Sequence, residues 1–316
     1  PDLSGTTHYL MGFSATILFF VSLLAHELSH SVVAKAKGIP VEGITLFIFG
    51  GIAHTRMEAE DPMDELAIAG VGPLASILIG ALFGGIAWAG SRAGWREAVV
   101  GPSEYLGWIN LILAGFNLLP GFPLDGGRLF RALAWKVSGD VTKATRWASL
   151  GGQVMGWILI GLGALQLLGG AALGGLWLIF IGWFLRTAAQ ASFRQHLLRT
   201  VFSGVPAKEL MSPNPASVRG DLTLSQAVDR NFLTHRYQCY PVEEGEDDRV
   251  VGLVTLDQVK EVDRESWPRT RIREIMTPRE EVEVSPDAPM TEVLDRMSEG
   301  RRRVLVISQG DLLGII

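Results

Sequence analysis

The 316 residues are 48% hydrophobic, with a mean hydropathy of +0.26 and a formal net charge of −5. No basic surplus exists to recruit nucleic acid, and the single cysteine, Cys239, excludes an intramolecular disulfide framework and fits a reducing compartment. Charge is unevenly spread: residues 1–200 carry 13 Lys/Arg and 12 Asp/Glu, residues 201–316 carry 15 and 21, so two different solvents are expected.

The first apolar run, Tyr9 to Ala25, has no charge and leads directly into His26. With one further turn it reaches the ~20 residues that a spanning helix needs. It closes on His26-Glu27-Leu28-Ser29-His30. Helix positions four apart share a face, so both imidazoles can reach one Zn²⁺, and Glu27 stands beside them to deprotonate a water. Ionisable residues at the end of a spanning helix are costly, which makes them functional candidates. A site of this kind wants a third protein ligand from elsewhere in the fold.

Further along, Ile44-Thr45-Leu46-Phe47-Ile48-Phe49-Gly50-Gly51-Ile52-Ala53-His54 reads as a strand or hairpin, being β-branched and aromatic up to a glycine pair. A second uncharged run covers residues 66–90, and a third spans roughly 105–124. The third ends in Asn117-Leu118-Leu119-Pro120-Gly121-Phe122-Pro123-Leu124-Asp125-Gly126-Gly127. Its prolines break the helix and its glycines admit close backbone contact. Irregular backbone at membrane depth is tolerated only beside protein or a wet cavity, which makes Asp125 the candidate third ligand. Between Arg146 and Arg186 lie 39 uncharged residues, about two bilayer thicknesses, with a Gly-rich turn at 169–175: a two-helix hairpin.

Five spans result. With the end of the first on the cytoplasmic side, loops 35–65, 128–146 and 186–199 hold three, five and three Lys/Arg, against Arg92 and Arg96 opposite. This follows the positive-inside rule and leaves the acidic tail in the cytoplasm.

HELSH on a span, followed about 90 residues later by NLLPGFPLDGG, resembles the site-2 protease family of intramembrane metalloproteases over roughly residues 8–195. The resemblance implies one zinc per chain held by His26, His30 and Asp125, with Glu27 as general base. It places Asn117 near the oxyanion or the substrate. Gly72-Pro73-Leu74-Ala75-Ser76 resembles the family's Gly-Pro motif and reads as helix packing. A further span usual before the HExxH helix is expected to be absent or cut away. The implied substrate is a transmembrane segment of a membrane-bound regulatory protein in regulated intramembrane proteolysis, with the lipid of the cell membrane as surroundings. A protease needs an extended substrate, so the edge Phe49, Gly50, Gly51 and Ile52 is a candidate for capturing it by β-augmentation, beside the reading of a plain re-entrant hairpin. His54 is not expected to ligate metal, and His8, His196 and His235 are expected at the surface or the interface.

After His196 the composition becomes that of a soluble α/β module with an internal repeat. Ala207–Pro213 echoes Ile272–Pro278 after 65 residues, and Val251-Gly252-Leu253-Val254 echoes Leu313-Gly314-Ile315-Ile316. This resembles a tandem cystathionine-β-synthase (CBS) domain pair over about 205–316, with the second repeat truncated. Such pairs often bind adenine nucleotides, which implies Gly252, Thr255 and Asp257 as contacts. The acid, however, stands one residue early, with Gln258 in the expected place, and a homodimerisation or packing module is the other reading. The expected protein is a multi-pass α-helical membrane protein with a C-terminal α/β cytoplasmic domain, divided at 1–200 and 201–316. The alternative function is a CBS-regulated transporter or channel, whose ionisable residues would line an ion path.

Overall fold

The two solvents reappear as two structural units, Pro1–Leu197 and Leu198–Ile316, in the computed structural model, which describes residues 5–47, 50–55, 59–235, 237–245, 249–298 and 303–316. The first unit runs α1 (Gly5–Ala36), β1 (Val41–Phe47), β2 (Gly50–Thr55), α2 (Pro62–Ala93), α3 (Glu97–Asn117), α4 (Asp125–Ser138), α5 (Val141–Leu168) and α6 (Ala172–Val201). Local chemistry sets the ends. Asp61 caps α2 by accepting from the Met63 amide at 2.6 Å, ahead of Pro62 at the first helical position, and Gly94 ends it at φ 68°.

Among the described residues, four helices, α1, α2, α5 and α6, are long and apolar enough to cross a membrane by length and composition. The third apolar run differs from expectation. Its helix begins at Glu97 rather than near 105 and stops at Asn117, because Pro120 cannot donate to a continuing helix. With 21 residues α3 is about 31 Å long, close to a hydrocarbon core, but it carries Glu97 and Glu104.

Packing in this unit mixes small and polar residues with apolar ones such as Leu106 and Ile68, and leaves large apolar side chains outside. The interior holds Ser22, His26, His30, Gly72, Ser76, Gly80, Ser103 and Asn110, while Phe13, Phe20, Trp88, Trp108, Trp157 and Leu162 lie exposed. Lipid-facing helices associate this way, through small residues and polar contacts. The α5–α6 hairpin keeps a seven-residue register. Gly163 meets Gly175 and Gly156 meets Gly182, so closely that a Cβ on any of them would lie about 2.5–2.6 Å from the opposing carbonyl oxygen. One step on, Ser149 Oγ donates to the Ala189 carbonyl at 2.8 Å, and a step further Thr142 Oγ1 lies 3.4 Å from His196 Nε2. His196 is therefore buried within the pair, correcting the expected surface position.

The second unit contains β3 (Ser212–Pro213), β4 (Val218–Arg219), β5 (Cys239–Glu244), β6 (Arg249–Thr255), β7 (Thr277–Pro278), β8 (Glu283–Val284), β9 (Leu305–Ser308) and β10 (Asp311–Ile315). Its strands form two four-stranded sheets, ordered β4-β5-β6-β7 and β3-β10-β9-β8. The repeat is thus exchanged at its start: β7, from the second repeat, completes the first sheet, and β3, from the first, completes the second. The cores follow suit. Ile272 packs with Leu224, Tyr240, Val242 and Val254, whereas Ala207 packs with Met290, Val293, Val304 and Val306.

Candidate metal centre

α1 carries His26 and His30 one turn apart, and the first residue of α4 brings in Asp125. Asp125 Oδ2 lies 3.1 Å from His26 Nε2 and 3.2 Å from His30 Nε2, and the two nitrogens are 3.4 Å apart. A tetrahedral zinc with bonds of about 2.0–2.1 Å holds its ligand atoms roughly 3.3 Å from one another. The three donors therefore form a triangle of the size such an ion needs, and among the described residues they are the cluster able to hold one. The imidazoles are almost wholly buried, while the Asp125 side chain keeps 14% exposure, so the approach runs past the carboxylate.

The outer ring nitrogens are held by α2. His30 Nδ1 lies 2.6 Å from the Ile68 carbonyl, which only accepts. The proton therefore sits on Nδ1, and Nε2 keeps its lone pair for a metal. His26 Nδ1 lies 2.9 Å from the fully buried Ser76 hydroxyl. Between these supports comes Gly72, where a Cβ would run into His30 Nε2 and lie 2.8 Å from His26 Nε2. Ile68, Gly72 and Ser76 are spaced four apart and share one face. The Gly-Pro segment, expected only to pack helices, thus orients His26 through Ser76 and leaves room for both rings at Gly72, while His30 is held one turn earlier by Ile68. Its i, i+4 spacing was the signal available in the sequence.

The segment before Asp125 is held by backbone contacts. Its loop turns through a cis Phe122–Pro123 peptide. The Phe122 amide donates to the Ala148 carbonyl at 3.2 Å, and Leu124 N donates to Gly121 O at 3.1 Å. A Cβ on Gly126 would strike the Leu118 carbonyl, one on Gly127 the Gly121 carbonyl carbon, and one on Gly121 the backbone of Gly152. The glycine pair after Asp125 lets α4 begin against its own loop. Gly151-Gly152 of α5, which sequence reading missed, receives that loop.

Glu27 is buried beside His26, and Asn117 ends α3 half-buried, at the entrance to the loop. The proposed substrate edge falls in a hairpin, as expected, with Phe47 opposite Gly50, Leu46 opposite Gly51 and Thr45 opposite Ile52; Phe49 lies outside the described residues. In the tail, the three nucleotide candidates have other engagements. A Cβ on Gly252 would meet the Thr277 carbonyl and lie 2.9 Å from Met276 Sδ, so this glycine admits the exchanged strand β7. Thr255 caps the helix Leu256–Glu261, and its amide donates to Gln258 Oε1 at 2.8 Å. Asp257 is exposed, 3.3 Å from Lys260 Nζ. Burial pushes the Cys239 thiol up, away from thiolate chemistry.

Membrane-crossing helices around a buried His–His–Asp triad, continued by a paired repeat, define a membrane-embedded metallopeptidase with an α/β module. The sequence matches Peptidase family M50 over residues 14–99 and 86–162, and the CBS domain over 207–265 and 272–316. It is 34% identical to the zinc metalloprotease MJ0392 of Methanocaldococcus jannaschii, covering 95% of this chain and 81% of the relative. It is 36% identical to Rip3 of Mycobacterium tuberculosis, named for a zinc metalloprotease, covering 98% and 79%. A solved Site-2 Protease from Methanocaldococcus jannaschii is 32% identical, covering 56% of this chain and 76% of that one, with a TM-score of 0.45. The chain belongs to Peptidase family M50: it is an intramembrane zinc metalloprotease with a CBS-domain pair. The transporter or channel reading is set aside on this ground.

Proposed function

We propose that His26, His30 and Asp125 hold one zinc ion and that Glu27 is the general base for hydrolysis of a transmembrane substrate. The observation that carries this reading is the 3.1–3.4 Å donor triangle, with the His30 tautomer fixed by Ile68. When bound, zinc lowers the pKa of a water and polarises a carbonyl oxygen. Glu27 takes the proton from the attacking water and returns it to the leaving amine nitrogen as the peptide bond breaks. Asn117, at the rim, binds the substrate backbone or its developing negative charge. The hairpin edge at Gly50–Ile52 lays an unwound substrate strand alongside, since a helix hides its carbonyls in its own hydrogen bonds.

The substrate class in this reading is a membrane-tethered regulatory protein cut in regulated proteolysis at the cell membrane, with the tail in the cytoplasm. An adenine nucleotide between the repeats is its proposed effector, tested by a shift in the tail's melting on titration with ATP. A homodimer through the tail would be seen in the mass of the detergent-solubilised chain. The central test is cleavage of a co-expressed single-span substrate by Glu27→Gln and Asp125→Ala at equal expression. Both are expected to be inactive, by a factor on the order of 10²–10⁴ for Glu27→Gln. Undiminished cleavage in either removes that residue from its role.

A further inference from the structure

Beneath the triad, at the first turn of α2, lies an ion pair that the chemistry above does not use. Glu65 has no exposed surface, and Arg131 of α4 is 8% exposed. Arg131 Nε donates to Glu65 Oε1 at 2.7 Å and Nη2 reaches the same oxygen, while Arg128 Nε lies 3.9 Å away. Glu65 Oε2 is buried without a hydrogen-bond partner among the described residues. Desolvating two charges is expensive, and a carboxylate with one oxygen unsatisfied is poorly repaid, so stability alone is a weak reason for this pair.

Its connections suggest another purpose. Glu65 precedes by one turn Ile68, whose carbonyl fixes the His30 tautomer. Arg131 lies on the helix that begins with Asp125, and its guanidinium sits 5.4 Å from the ring centre of Phe122, in the loop leading to that residue. One guanidinium thus joins the α2 turn that orients an imidazole to the loop and helix that deliver the carboxylate.

We propose that Glu65 and Arg131 are positioning residues that hold α2 and α4 in the register at which Asp125 meets His26 and His30, setting metal affinity without touching metal or substrate. The inference rests on the triad being the zinc site. Arg131→Lys keeps the charge but loses the forked contact and the stacking on Phe122. The double variant Glu65→Leu/Arg131→Met removes both charges at similar volume, a change that folded proteins tolerate.

The experiment measures zinc affinity of the full-length, detergent-purified chain by competition with a chelating dye. It also measures melting of the zinc-free protein, and kcat and KM on a single-span substrate. Both variants are expected to bind zinc about 10–100-fold more weakly, the usual effect of losing an outer support of a metal site. The zinc-free protein should melt as the wild type does, and kcat should fall while KM holds. Wild-type zinc affinity in the folded variants would overturn the proposal. If the double variant does not fold, Arg131→Lys decides alone. His30→Ala separates the two ideas: if it leaves zinc binding of the wild type unchanged, the zinc site itself is wrong, whereas His30-dependent zinc binding that ignores the ion pair sinks only the positioning role.

Discussion

The two units solve opposite packing problems. In the first, Gly, Ala, Ser, Asn and His supply much of the interior beside a few large residues such as Leu106, while every described Trp lies outside the core; in the second, Tyr240, Leu224, Ile272 and Val293 are fully buried. Lipid offers no hydrophobic drive between helices, so the membrane unit gains from close backbone approach and internal hydrogen bonds. Water supplies that drive to the tail, which gains from apolar bulk. The difference teaches that the membrane interior has room for a polar site because polar atoms already build it.

Removing bulk should therefore break the tail, and adding bulk should break the membrane unit. The largest effect is expected for Ile272→Ala, which empties a fully buried position and should cost about 2–5 kcal/mol, read as urea-dependent proteolysis of the tail in the intact chain. Equal resistance to wild type would mean that the exchanged core is not cooperative. Gly72→Ala makes the converse change: one added methyl pushes both imidazoles aside and should weaken zinc binding by up to about 100-fold, the upper end for disturbing the supports of metal ligands. Unaltered affinity there would contradict the contact between Gly72 and the histidines. Ser76→Ala frees the His26 ring and should cost on the order of tenfold in chelator competition, with melting unchanged. The smallest effect belongs to a tail surface cap: Thr255→Ala should lower tail stability by ~1 kcal/mol, and a loss several times greater would point to a second duty for that hydroxyl.

The parts of the site legible in the sequence are those written in short spacings. HELSH fixes two imidazoles on one helical face, and Pro120 and Pro123 announce a break ahead of Asp125. The hairpin was legible too, from β-branched residues running into a glycine pair. What stayed hidden depends on contacts between distant segments. Ser76 and the Ile68 carbonyl gain meaning only when α2 lies against α1, Gly151-Gly152 only when the loop reaches α5, and Arg131 only opposite Glu65. The buried place of His196 was obscured because the heptad that internalises it is composed of Thr, Ser and Gly, which carry no hydrophobic periodicity. In the tail the repeat was visible but its partner exchange was not, since β3 and β7 are two-residue strands whose pairing leaves no local pattern.

That exchange has a consequence for how the tail can be edited. Because Thr277–Pro278 pairs with Arg249–Thr255 of the first sheet, and Ser212–Pro213 with Asp311–Ile315 of the other, neither half is a separable module. Deleting one would strip an edge from its sibling and bare a row of backbone amides. Loosening one half therefore uncovers an edge of the other, and the two repeats stand or fall as one folding unit.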